Sequence, residues 1–128
     1  MNGNLDVQPD VPFFVDWTPA TKAMYAAFRK YQPSFVASQD FGEVAVDSGT
    51  SGLIFEAAAK AGHLGDNPTT AELIKGLYDL HGATFGGMTP PLTYRPGKPT
   101  TGINCVYPMG IKNKRWTLPI GLKNVCPT

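Results

Sequence analysis

The chain has 128 residues with 11 Lys and Arg against 10 Asp and Glu, so it is one domain at most, large enough to bury a core, and too nearly neutral to offer a phosphate-binding surface. Fourteen glycines and twelve prolines favour many turns over long uninterrupted elements. No apolar run reaches the ~20 residues of a membrane span, and the opening residues do not read as a basic-then-apolar signal segment; if the protein is exported, this chain is expected to be a mature form or a fragment.

Residues Met1 to Asp16 read as an irregular lead-in with one short extended segment, closing on Val11-Pro12-Phe13-Phe14-Val15. Thr18-Pro19 then starts a helix, the threonine as N-cap and the proline at the first helical position. Ala20, Met24, Ala27, Phe28 and Tyr31 recur at helical spacing as its apolar face, and Pro33 ends it. Phe35 to Phe41 is a short connection.

The next stretch, Val44 to Gly62, lies in the longest run without a proline and admits two incompatible readings. As a helix it places Val46, Thr50, Leu53, Ala57 and Ala61 on one face, with Gly62 as its cap. Gly49 and Gly52 each cost ~1 kcal/mol in a helix interior, which makes sense where another backbone packs closely. As a strand and turn, Asp47-Ser48-Gly49-Thr50-Ser51 resembles the catalytic loop of an aspartic protease, in which a homodimer would supply one aspartate per copy. Leu64-Gly65-Asp66 echoes a second motif of that family but arrives too soon for the intervening strands. The Leu-Ile-Phe-Glu-Ala-Ala-Ala run after Ser51 favours the helix.

Thr69 and Glu72 have capping-box spacing and open a third helix, with Leu73, Ile74, Leu77 and Leu80 as its stripe and Gly82 as its stop. Beyond it the texture turns to short extended pieces. Cys105 to Ile111 and Trp116 to Ile120 read as strands around Lys112-Asn113-Lys114-Arg115, a solvated hairpin tip rather than a nucleic-acid contact. Cys105 and Cys126 lack Cys-x-x-Cys spacing. A disulfide between them would fit an exported protein and contribute ~3 kcal/mol; two buried free thiols are the alternative.

Metal and cofactor motifs are missing from the sequence: it has no His-Glu-x-x-His, no Gly-x-Gly-x-x-Gly and no P-loop. His63 and His81 sit beside glycines that end helices, where a histidine bonds free carbonyls. No cofactor is expected. The inventory also lacks the Val/Ile-rich strands that three helices would need to cover. Either this is a small helix-plus-hairpin α+β domain, or it is one piece of a larger α/β protein.

Taken together, the helices and tail resemble the type I periplasmic-binding-protein fold, in the branched-chain amino acid or amide branch of ABC transporter substrate-binding proteins. Four blocks carry the resemblance: Trp17 to Lys22 running through Phe28 to Tyr31; Ser51 to Gly62; Thr70 to Leu80; and Phe85 to Tyr94 with the Gly97-Lys98-Pro99 turn and the Cys105 strand. Their order and spacing span about four-fifths of the chain.

The resemblance implies an α/β fold, the C-terminal third of a two-lobed Rossmann-like protein. Residues 1–84 would form the helical layer of one lobe, and 85–128 the hinge-crossing strands and hairpin. It also accounts for a disulfide and for the missing strands. It implies a transport protein without catalytic residues, periplasmic or extracytoplasmic and membrane-associated at full length. That protein would capture a small amino-acid-like or amide ligand for a membrane permease. The partner of this segment would be the remainder of the protein, or a second copy through self-association; no nucleic acid is expected. The ligand loops of the other lobe lie outside this sequence, which leaves Trp17 and Phe41 as the cleft candidates.

Overall fold

The computed structural model describes residues 3–127. Among them the architecture is mixed α/β, with four helices and two small antiparallel sheets. In chain order the elements are β1 (Leu5–Gln8), α1 (Pro19–Tyr31), α2 (Pro33–Val36), α3 (Glu43–Ala61), α4 (Thr70–Tyr78), β2 (Thr93–Arg95), β3 (Lys98–Thr101), β4 (Tyr107–Lys112) and β5 (Arg115–Thr117).

The two threonine caps form as expected. Thr18 accepts from the Thr21 N–H at 3.1 Å, and Thr21 Oγ1 accepts from the Thr18 N–H at the same distance. Thr69 and Glu72 exchange the equivalent pair at 3.3 and 2.8 Å. These bonds from Thr69 hold the Glu72 carboxyl below its usual range. The first helix ends ahead of Pro33 as expected, at Tyr31, and the proline takes the first position of the separate short α2, where its missing N–H costs nothing.

Glu43–Ala61 is helical throughout. Asp47-Ser48-Gly49-Thr50 is therefore a helical turn and not the strand and loop that a protease-like aspartate requires. Within it the Ser48 hydroxyl donates back to the Val44 carbonyl at 2.7 Å.

Helix burial differs from the periodic reading. In α1 the buried side chains are Thr21 and Tyr25, whereas Ala27 and Tyr31 are exposed. The Tyr25 hydroxyl donates to the Phe13 carbonyl, which turns that face of the helix toward the lead-in segment. The apolar stripe is left on an open side. In α4 the tightest position is Gly76, with Ile74 41% exposed. A Cβ at Gly76 would meet the Ala58 carbonyl oxygen at 1.9 Å, and one at Gly62 would meet the Glu72 carbonyl oxygen at 2.5 Å. Absent side chains thus let α3 and α4 approach backbone to backbone. Gly49 lies 3.4 Å, at its ideal Cβ, from Met24 Sδ, but Gly52 faces open space. The close backbone approach expected of both occurs at neither; it is found at Gly62 and Gly76 instead.

The central cluster is Val11, Val15, Val46 and Met88, each no more than 1% exposed. Two of the four come from the lead-in, tied down where the Val11 N–H donates to the Met88 carbonyl at 2.8 Å. The order of the larger sheet is β1–β4–β5, so the first strand pairs near the last, with Leu5 opposite Gly110 and Gln8 opposite Tyr107. The β4–β5 tip is Asn113-Lys114, both residues at positive φ as a two-residue type I′ turn requires. β5 is shorter than expected and ends at Thr117. Cys105 and Cys126 are bonded, and the adjoining Val106 and Val125 exchange a pair of backbone hydrogen bonds. The smaller sheet is the β2–β3 hairpin, turned at Pro96-Gly97.

Candidate functional site

Two regions have functional character: an apolar groove on the helices and a carboxylate cluster beneath the lead-in. The groove, about 540 Å³, lies between α1 and α3 and is closed at one end by Phe85 and Met88. Its walls are Ala20, Met24, Ala27 and Phe28 of α1 and Gly49 and Leu53 of α3. This is the stripe read above as a core face. It is lined by apolar groups but not covered by either small sheet. Lys30 stands over the Tyr31 ring, 4.9 Å from its centroid, near one end.

The second region follows from the packing of the lead-in on α3. Val11 and Val46 share the central cluster, and their sequence neighbours Asp10 and Asp47 are near enough for the charge of Asp47 to act on Asp10. Thr50 comes one turn after Val46 on the same helical face. Burial pushes the Asp10 carboxyl up to about 6; the Thr50 hydroxyl opposes that rise, and Asp47 adds to it both by charge and by accepting a hydrogen bond from the protonated acid. Tyr94 and Tyr107 titrate above their ordinary range chiefly through burial, and the charge of Asp10 reinforces the effect at each. At Tyr107 a bond with Asn124 works in the opposite direction.

The depth of the three groups is graded. Asp47 is exposed, Asp10 half-buried, and Thr50 only 1% exposed. The buried Thr50 oxygen makes no hydrogen bond of ordinary geometry among the described residues. Neither carboxylate takes part in an ion pair among these residues; the two that form are Arg29–Asp16, at 4.0 Å, and Lys60–Glu56.

The sequence-derived cleft candidates lie apart from this cluster. Trp17 is 52% exposed just before α1. Phe41 belongs to an aromatic group with Tyr25, Phe28 and Phe35, at centroid separations of 5.2, 5.5 and 5.6 Å. No ring contact joins Trp17 to Phe41 among the described residues. Sequence reasoning missed Asp10 altogether, while it placed Thr50 on the inner face of the helix, where it is buried. The only signal for Asp10 was its position beside Val11, and that became meaningful once Val11 was seen to pack on α3.

Among the described residues, no set of three or more His, Cys, Asp or Glu side chains could hold a metal ion. No helix among them is long and apolar enough to cross a membrane. No family model, curated protein or solved structure matches the chain.

Proposed function

We propose that this chain is the C-terminal part of an extracytoplasmic solute-binding protein, which captures a small amino-acid-like or amide ligand and presents it to the permease of an ABC importer. The observation that carries the reading is the order of the four sequence blocks. They fall in turn on α1, on α3, on α4 and on the segment from Phe85 through the β2–β3 hairpin to Cys105.

The uncovered groove supports it. Helices that flank a sheet in a two-lobed Rossmann-like protein carry an apolar face toward strands, and α1 and α3 carry such a face with no strand on it. On this reading the strands belong to the remainder of the protein, the ligand binds between lobes, and hinge closure commits it. No bond is made or broken, so no catalytic residue or cofactor is required. Trp17 and Phe41, before the starts of α1 and α3, stay the candidates for contact with the cleft.

Antibodies raised against this chain allow the test. The protein captured from its source is weighed by native mass spectrometry, with and without denaturation. The expected result is a species of several hundred residues that releases a small amine or amide on unfolding. A captured species of 13.8 kDa that releases nothing would refute the proposal.

A further inference from the structure

We propose that the outer face of the β1–β4–β5 sheet, with the basic β4–β5 tip at its end, docks this protein on an anionic phospholipid bilayer. The face shares no residue with the α1–α3 groove, and the inference holds whichever larger protein contains the chain.

Strand register assembles the face. Directly opposed residues lie on the same side of a sheet, and the sides alternate along each strand. Leu5 opposes Gly110, Val7 opposes Pro108 and Lys112 opposes Arg115, so these six share one side. The other side is the covered one: Tyr107 and Met109 are buried there, and Trp116 stacks on Phe14 at 6.0 Å between centroids. Leu5 Cδ2 comes 3.4 Å from the ideal Cβ position of Gly110, so the leucine lies across the middle strand where residue 110 has no side chain. It is nevertheless 77% exposed, and Val7 is 54% exposed.

Charge and apolar surface are continuous. Lys112 is two residues beyond Gly110 along β4, about 7 Å, which puts Lys112 and Arg115 at the Leu5 end of the apolar row. Lys114 adds a third cation in the turn. All three are exposed, and the ion pairs formed among the described residues, Arg29–Asp16 and Lys60–Glu56, involve none of them. The one acid in these three strands, Asp6, opposes Met109 and so belongs to the other side, where its carboxylate accepts from the Val7 N–H at 2.8 Å. As a stretch of sequence the tip is only a solvated turn. Strand pairing is what sets it beside exposed leucine and valine.

That combination selects lipid. Each cation near a negative bilayer surface gains about fivefold in binding from its potential. Apolar side chains beside such cations enter the boundary between headgroups and acyl chains. Nucleic acid would satisfy the cations through its phosphates but offer nothing to Leu5 and Val7. A second copy presenting the same face would bring positive charge against positive charge.

The test sediments the full chain with vesicles of phosphatidylcholine alone, and with vesicles in which about a third of the lipid is phosphatidylglycerol. Binding to the mixed vesicles is expected to be about a hundredfold tighter, as three cations at about fivefold each imply, and to weaken with added salt. Lys112→Gln combined with Arg115→Gln should reduce it about twentyfold. Leu5→Asn, at an exposed position, should reduce it about tenfold through lost apolar burial. Ala27→Gln, in the wall of the groove, should leave it unchanged. Binding that is absent or equal for the two kinds of vesicle would overturn the proposal, as would undiminished binding in Leu5→Asn or a loss in Ala27→Gln as large as in Leu5→Asn. Tighter retention by a DNA oligonucleotide than by the mixed vesicles would also overturn it, in favour of a nucleic-acid surface.

Discussion

Gly76→Ala is expected to destabilise the protein, whereas Gly52→Ala should stabilise it, although both glycines sit inside helices. At position 76 the new methyl would lie 1.9 Å from the Ala58 carbonyl oxygen, 2.7 Å from the Gly62 nitrogen and 2.9 Å from the Ala58 carbonyl carbon. Ordinary contact begins at 3.4 Å, so α3 and α4 must part by about 1.5 Å at their crossing. The obstructing atoms are backbone and cannot rotate away. They also carry the Gly62 N–H to Ala58 carbonyl bond that closes α3 at 2.8 Å. Overpacking of this kind costs about 1–3 kcal/mol and more where nothing yields, while the better helix propensity of alanine returns about 1 kcal/mol. The net loss is about 2 kcal/mol, roughly a thirtyfold fall in the folding constant. Gly52 meets no atom within 4 Å of its ideal Cβ, so its substitution keeps only the propensity gain of about 0.5–1 kcal/mol. Urea unfolding followed by circular dichroism at the helix band reads both. Midpoints moving in the same direction would refute the assignment of the α3–α4 crossing to these glycines.

The Cys105–Cys126 bond closes a sequence separation of 21 residues, and Cys126→Ser should cost about 3 kcal/mol on the chain-entropy account; a melting temperature unaffected by reductant would contradict it. The raised carboxyl of Asp10 makes stability pH-dependent with a definite sign. The folded state holds a proton that the unfolded chain releases near pH 4, so the contribution is complete below that and is lost as pH rises through about 6. Asp10→Asn should flatten the urea midpoint between pH 4.5 and 7, and an unchanged slope would show that other groups set it. The groove between α1 and α3 should drive self-association of this chain, and Leu53→Glu, which puts a charge in its wall, should shift light-scattering mass toward the monomer. A wild-type chain that is monomeric at high concentration would remove the basis for that expectation.

The sequence by itself determined where helices begin. Thr18-Pro19 and Thr69 with Glu72 are local chemistry, because a cap needs only residues three apart; both threonines cap as expected, Thr69 with Glu72 as its expected partner and Thr18 with Thr21, which the sequence reading did not single out. The helical state of Asp47 to Thr50 was likewise legible in the Leu-Ile-Phe-Glu-Ala run that follows, which propagates a helix whatever lies around it. The same residues could not say which face would be covered. Ala20, Met24, Ala27 and Phe28 have core periodicity, yet they line an open groove, since periodicity records what a face requires and not whether a partner is there. The tertiary structure alone decided that Gly76 rather than Leu77 is the closest point of α4, and that the first strand lies beside β4. Asp47 drew notice through a motif it does not use. Its charge instead reinforces the raised carboxyl of Asp10, a residue of the lead-in that no local pattern links to it. Contacts between residues far apart in the chain are set by how apolar surfaces fit together, and no local pattern carries that information.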